Sequence, residues 1–136
     1  MYNIFMTKRI YNSLVYIASM KKFKAIIYKV EQQEEKITLY FKGKTFCTKF
    51  QHDCSDPKGK VIIHKLLSLY AVKKVQDLIG KEICVFIDMP KNNRFVAYTK
   101  CNEQNGIDLI TGKFCSISVK RKEGSKGIIR QYAVFN

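Results

Sequence analysis

The sequence predicts a mainly β fold with one helix, of the α+β class, in which the helix lies between the third and fourth strands. Short runs of β-branched and aromatic residues, separated by turn-forming residues, predict the strands. One segment with apolar residues at three- and four-residue spacings predicts the helix. The length of 136 residues, 46% of them hydrophobic, is that of one domain with a buried core.

Three strands are expected before the helix. Residues 23–30 are rich in β-branched and aromatic side chains, and the polar run at 31–35 turns the chain. Lys36–Lys42 alternates strictly between polar and apolar residues, which predicts a half-buried strand with a basic, aromatic outer side. Gly43 and Lys44 then form a tight connection to a third strand at 45–51.

The helix has a clear start signal in Ser55-Asp56-Pro57, since Asp or Ser caps the first amides and Pro fits the first turn. The apolar spacing over residues 61–79 predicts one helix, or two short ones that break near Ala71. Gly80 is a typical helix stop.

Four strands are expected after the helix, in two pairs. The first pair is 81–88 and Arg94–Lys100, around a turn at 89–93. The second pair is an extra C-terminal hairpin of 114–120 and 128–135, joined by a loop at 124–127.

The N-terminal segment is expected to be an appendage at 1–19, followed by one basic domain at 20–136. Met20, Lys21 and Lys22 have the form of a second translation start. The apolar run of the first residues is broken by Asn12 and Ser13, which is poor for a signal peptide and too short to span a bilayer. We therefore expect no membrane association.

The element order of residues 22–100 resembles that of OB-fold proteins from phages and mobile elements that bind single-stranded nucleic acid. The segment Val75-Gln76-Asp77-Leu78-Ile79-Gly80-Lys81 resembles the passage from helix to fourth strand in those proteins. The resemblance implies a small β-barrel that binds single-stranded DNA or RNA on the outer face of strands two and three. The C-terminal hairpin and the absence of Trp depart from that pattern.

The charge distribution favours a polyanionic partner. Lys and Arg number 25 against 11 Asp and Glu, which gives a net charge of +14. The first acid is Glu31, and Glu123 is the only acid after residue 113, so both ends of the chain are basic. A nucleic acid would relieve the resulting self-repulsion. The alternative is a base composition that inflates Lys, Asn, Ile and Tyr codons and leaves a merely solvated surface.

Two groups of residues are candidates for nucleic-acid binding. Cations that follow the backbone, together with flat rings on which bases stack, are what a single strand requires. On the strand faces these are Lys36, Tyr40, Lys42, Lys49, Arg94, Tyr98 and Lys100. In the C-terminal hairpin they are Lys120, Arg121, Lys122 and Lys126, beside a Gly-rich loop. Ordinary solvated strand faces and a plain hairpin loop remain the alternatives.

The cysteines predict a reducing compartment rather than a cofactor site. Their number, five, is odd, which favours free thiols in the cytoplasm. Zinc would need tightly spaced ligand pairs, and the set Cys47, His52 and Cys54 does not supply them. We expect no metal and no cofactor.

The sequence gives little support for catalysis. We therefore expect a binding protein, not an enzyme, and we expect it to be accessory to replication or to a mobile element. No nucleophile motif accompanies His52 or His64. A metal-dependent nuclease that uses Asp53 with Asp56, or Asp88 alone, is a weaker alternative. The main alternative is a small protein-interaction module that docks on a polymerase, nuclease or ribosome.

Overall fold

A computed structural model describes the backbone of residues 7–10, 13–17, 20–88, 94–123 and 129–135, and the side chains of 21–88 and 94–118. In chain order the elements are β1 (Thr7–Ile10), β2 (Ser13–Ile17), β3 (Met20–Gln33), β4 (Lys36–Lys42), β5 (Cys47–Asp53), α1 (Pro57–Leu69), a 3-10 helix (Val75–Leu78), β6 (Glu82–Asp88), β7 (Arg94–Lys100), β8 (Asn105–Asp108), β9 (Phe114–Glu123) and β10 (Ile129–Phe135). The prediction of a mainly β fold with one α-helix is confirmed for these residues.

The strands form one antiparallel sheet in the order β1-β2-β10-β9-β8-β7-β6-β3-β4-β5. In the described part of the chain β1 and β5 are the two edges, and no strand pairing closes the sheet. β2 pairs with β10, with Ile17 opposite Tyr132. The two basic ends of the sequence are therefore neighbours in the sheet.

The predicted strands agree best with the structure where alternation is strict. Lys36–Lys42 and Arg94–Lys100 are confirmed at both ends. β3 continues to Gln33 because its pairing with β4 extends until Gln33 lies opposite Lys36, so the predicted turn at 31–35 shrinks to Glu34 and Glu35. β1, β2 and β8 were not predicted. The turn at 89–93 and the loop at 124–127 lie outside the described residues.

The helix begins as its sequence predicts and ends earlier. Asp56 is the N-cap, and its side chain accepts a hydrogen bond from the amide of Lys58 at 3.2 Å. α1 stops before Ala71, which has a φ of 54° that a helix cannot accommodate. The break near Ala71 is thus confirmed, although the second helical piece is a single 3-10 turn. Gly80 follows it with a φ of +91°.

The main core lies between α1 and the inner face of the sheet from β3 to β7. Its helical members are Ile62, Ile63 and Leu66, which pack against alternate residues of these strands. A second, smaller cluster lies on the other side of β6 and β7 and includes Phe86, Val96 and Ile117. These two clusters cover β6 and β7 on both sides, whereas among strands β3 to β7 the outward side of β3, β4 and β5 is open to solvent.

Candidate nucleic-acid interface

The outward side of β3, β4 and β5 forms a basic and aromatic surface, which we call the outer β3–β5 face. Ile37, Leu39 and Phe41 of β4 are buried, so strict alternation turns the residues between them outward. The members of the face are Lys22, Lys24, Ile26, Tyr28, Lys29, Glu31 and Gln33 of β3, Lys36, Thr38, Tyr40 and Lys42 of β4, and Cys47, Lys49, Gln51 and Asp53 of β5. Tyr28 is 45% and Ile26 is 44% exposed.

Tyr40 lies at the centre of this face, between two lysines. Lys29 of β3 and Lys49 of β5 are its register partners on either side. Their Nζ atoms lie 5.0 and 5.6 Å from the centroid of the Tyr40 ring, within cation–π distance. The ring of Tyr28 lies 6.0 Å away in an edge-to-face arrangement. A partly exposed aromatic ring therefore has a cation on each side and a second ring beside it.

One carboxylate holds this arrangement in place. The Tyr40 hydroxyl donates a hydrogen bond to Glu31, and Lys29 lies 3.8 Å from the other Glu31 oxygen. The hydrogen bond from Tyr40 lowers the pKa of Glu31, and the charges of Lys29 and Lys49 lower it further. The same bond raises the pKa of Tyr40, because it stabilises the protonated phenol. Glu31 is thus paired with Lys29 and lies within the electrostatic influence of Lys49.

An open groove of about 1010 Å³ runs along Tyr40. It is lined by both cations and acids: Glu31, Gln32, Gln33, Glu34, Lys36, Thr38, Tyr40, Lys49, Phe50 and Gln51. The predicted residues Lys36, Tyr40 and Lys49 therefore lie in one groove. Lys42 lies on the same face, opposite Ile26 and Cys47.

The expectation that Tyr98 offers a stacking ring is wrong. Its side chain is fully buried, at 0% exposure. The register between β6 and β7 shifts at Phe86 and Ile87, and this irregularity lets both Phe95 and Tyr98 join the main core. The Tyr98 hydroxyl lies 2.7 Å from Nε2 of buried His52, and burial raises the pKa of Tyr98 well above its ordinary value.

Arg94 and Lys100 were predicted to share an exposed face with the ring of Tyr98, and this is wrong because that ring is buried. Arg94 lies 3.6 Å from the carboxylate of Asp88. Lys100 lies 3.5 Å from Glu103 and 5.6 Å from the ring centroid of Tyr70. β6 and β3 separate their strand from β4, so the structure does not bring either residue to Tyr40.

The C-terminal candidates lie in another part of the sheet. Lys120, Arg121 and Lys122 belong to β9, opposite Tyr132, Gln131 and Arg130 of β10. Four strands separate β9 from β4. The side chains of these three residues, and Lys126 altogether, lie outside the described residues. They stay predictions.

The cysteines of the chain are free thiols in the structure. Cys84 and Cys101 have sulfur atoms 3.4 Å apart, and burial raises the pKa of Cys101 to about 12.

Within the described residues no group of three or more His, Cys, Asp or Glu is arranged to hold a metal ion. In the same part of the chain, no helix has the length and apolarity needed to cross a bilayer.

Sequence reasoning missed Lys29 and Tyr28 as neighbours of Tyr40. The register between β3 and β4 shifts between Ile27 and Lys29, so both residues come close to Tyr40 although they are adjacent in sequence. The alternation of side chains along a regular strand cannot predict that Tyr28 and Lys29 both come close to Tyr40, because a bulge adds one residue to one strand. The alternation from Lys22 to Tyr28 was a usable signal for the rest of the face.

Comparison with protein-family models, with curated proteins and with solved structures finds no match for this chain.

Proposed function

We propose that this protein binds single-stranded nucleic acid, DNA in preference to RNA, on the outer β3–β5 face. The observation that carries the proposal is the Tyr40 ring, partly exposed between the Nζ atoms of Lys29 and Lys49. A base stacked beside this ring would leave its phosphates within reach of the lysines. A duplex hides the faces of its bases, whereas a single strand can offer them.

We also propose that the part of the sheet formed by β7, β6, β3, β4 and β5 is curved as in an OB fold. Two contacts support it, and both join β5 to β7, which are four positions apart in the strand order. The rings of Phe50 and Phe95 stack at 4.7 Å with an interplanar angle of 9°. His52 and Tyr98 are hydrogen-bonded at 2.7 Å. The role we propose is binding, without catalysis, as an accessory to replication or to a mobile element in the cytoplasm.

Fluorescence anisotropy with labelled single- and double-stranded DNA and RNA, at several salt concentrations, tests the proposal. We expect micromolar or tighter binding of single-stranded DNA at low salt. Affinity should fall steeply as salt rises, because each bound phosphate releases counterions. Absence of binding to every oligonucleotide at low salt would contradict the proposal.

A protein-interaction module is the second candidate, and one observation favours it. β5 is an edge strand of the sheet, so its outer backbone groups can pair with a strand from another protein. A partner would be a polymerase or another component of a nucleoprotein machine. Failure to bind any oligonucleotide, combined with loss of partner binding in a variant that places Pro in β5, would favour this candidate.

A further inference from the structure

A second groove opens at the edge of the outer β3–β5 face, next to the turn between β4 and β5, and its walls include Phe23 and Phe46, which also pack against the main core. Its volume is about 800 Å³, which is within the range of small-molecule sites. We call it the Phe46 groove. It is lined by Lys22, Phe23, Lys24, Ala25, Ile26, Tyr28, Lys42, Gly43, Lys44, Thr45, Phe46 and Glu82.

One wall of this groove is built by a local turn. The amide of Gly43 donates to the carbonyl oxygen of Phe46 at 2.9 Å, which folds the ring back over the turn. A Cβ atom on Gly43 would lie only 2.1 Å from Cε1 of Phe46, so the ring takes this position because residue 43 is Gly. Phe46 also contacts Phe23, with ring centroids 4.8 Å apart. Ile26 and Tyr28 supply further exposed apolar surface.

Lysines surround this apolar surface. Lys22, Lys24, Lys42 and Lys44 are all exposed. Glu82 is the one acid among the described lining residues, and it lies 3.4 Å from Nζ of Lys24. The groove thus combines flat apolar rings with an excess of positive charge.

We infer that the Phe46 groove receives an unstacked base of the same DNA single strand that binds at Tyr40, with the flanking phosphates on its lysines. This inference rests on the proposed function and adds a second binding position to it. A base is flat and apolar on its faces, and the attached phosphate is anionic, so one nucleotide matches both features of the groove. Tyr28 lines the groove and its ring lies 6.0 Å from that of Tyr40, so the two positions are continuous.

Anisotropy titrations of unlabelled variants with labelled oligo-dT test the inference. Phe46→Leu keeps an apolar side chain in the wall but removes the flat ring, and Lys44→Gln removes one cation. With an oligonucleotide long enough to reach both positions, we expect Phe46→Leu to lose about 5- to 160-fold in affinity, the loss typical of one stacked base. Phe114→Leu is the matched control, because Phe114 is 52% exposed and lies 5.2 Å from a lysine Nζ in another part of the molecule.

Amide chemical shifts provide a second readout on the unmodified protein. Addition of oligo-dT should shift the signals of residues 43–46 as well as those around Tyr40. If these signals stay in place, and Phe46→Leu binds normally while Tyr40→Ala binds weakly, the inference is wrong and the proposed function stands. If the unmodified protein binds no oligonucleotide, both are wrong.

Discussion

Tyr40 and Tyr98 have the same sequence surroundings and opposite environments. Each lies in a seven-residue strand, with one cation four residues before it and another two residues after it. Tyr40 lies on a strand whose outward side is open, and its ring contacts two lysines. Tyr98 lies on a strand covered on both sides, and its hydroxyl contacts a buried histidine. A Tyr between cations is therefore a binding feature only where the sheet leaves one side uncovered.

The largest expected difference between the two tyrosines is in stability. Tyr98→Ala removes a fully buried ring and leaves His52 without its partner, so it should lower the free energy of unfolding by about 3–5 kcal/mol. Tyr40→Ala should cost roughly 1 kcal/mol or less, since surface substitutions are usually mild. Urea unfolding followed by circular dichroism measures both. Similar losses for the two variants would contradict the assigned environments.

The buried partner of Tyr98 should make stability depend on pH. Burial lowers the pKa of His52 from 6.5 to about 4, so the unfolded chain binds a proton more readily than the folded protein between these values. The contribution of neutral His52 to the free energy of unfolding is therefore fully present above pH 6.5 and is lost as the pH falls towards 4. His52 should account for about 2 kcal/mol of loss between pH 7 and pH 5.

Denaturant unfolding of His52→Gln at both pH values isolates this contribution, because other groups titrate in the same range. His64→Gln is the matched control, since His64 is exposed on α1. The first variant should be less sensitive to pH than the unmodified protein, and the second should not differ from it. An unchanged pH dependence in His52→Gln would refute the assignment.

The lysines beside the two tyrosines should differ in their effect on salt dependence. Lys49→Gln should lower the slope of log affinity against log salt by about 0.7, the value for one phosphate contact on a single strand. Lys100→Gln should leave the slope unchanged, because Lys100 contacts Glu103 and Tyr70 instead. Anisotropy titrations across a salt series measure both. A lower slope in Lys100→Gln would place the binding path on β7.

The smallest expected effect is an increase in affinity. Glu31→Gln keeps a hydrogen-bond acceptor for Tyr40 but removes the anion that lies 3.8 Å from Lys29. Single-stranded DNA should bind only about two-fold more tightly, because an exposed ion pair is weak. Glu103→Gln is the control at the equivalent pair on Lys100. Weaker binding by Glu31→Gln would mean that the carboxylate itself contacts the ligand.

Local signals in the sequence were enough to predict much of the fold. β4 and β7 are confirmed at both ends, and the Asp56 cap and the break at Ala71 follow from the helix signals. β8 was missed because three of its four residues, Asn105, Gly106 and Asp108, are typical of turns, and the segment becomes a strand by pairing with β7 and β9. Such pairing depends on contacts between distant parts of the chain.

The candidate site was predictable only in part, for a related reason. The alternating pattern correctly predicted that Lys36, Tyr40 and Lys42 face outward, because the alternation of β4 is regular along its whole length. It failed for Tyr98, where a register shift and a second covering layer decide the environment. It also could not reveal the Phe46 groove, which depends on the close contact between Gly43 and Phe46.

The affinity of Tyr40→Ala for a DNA single strand tests the central claim most directly. Anisotropy titration of this variant, after circular dichroism has shown that it is folded, should give a loss of about 1–3 kcal/mol in binding free energy. The salt slope should stay nearly unchanged, because the ring contributes stacking and no charge. Binding equal to that of the unmodified protein would contradict the account and direct attention to the basic strands at the other end of the sheet.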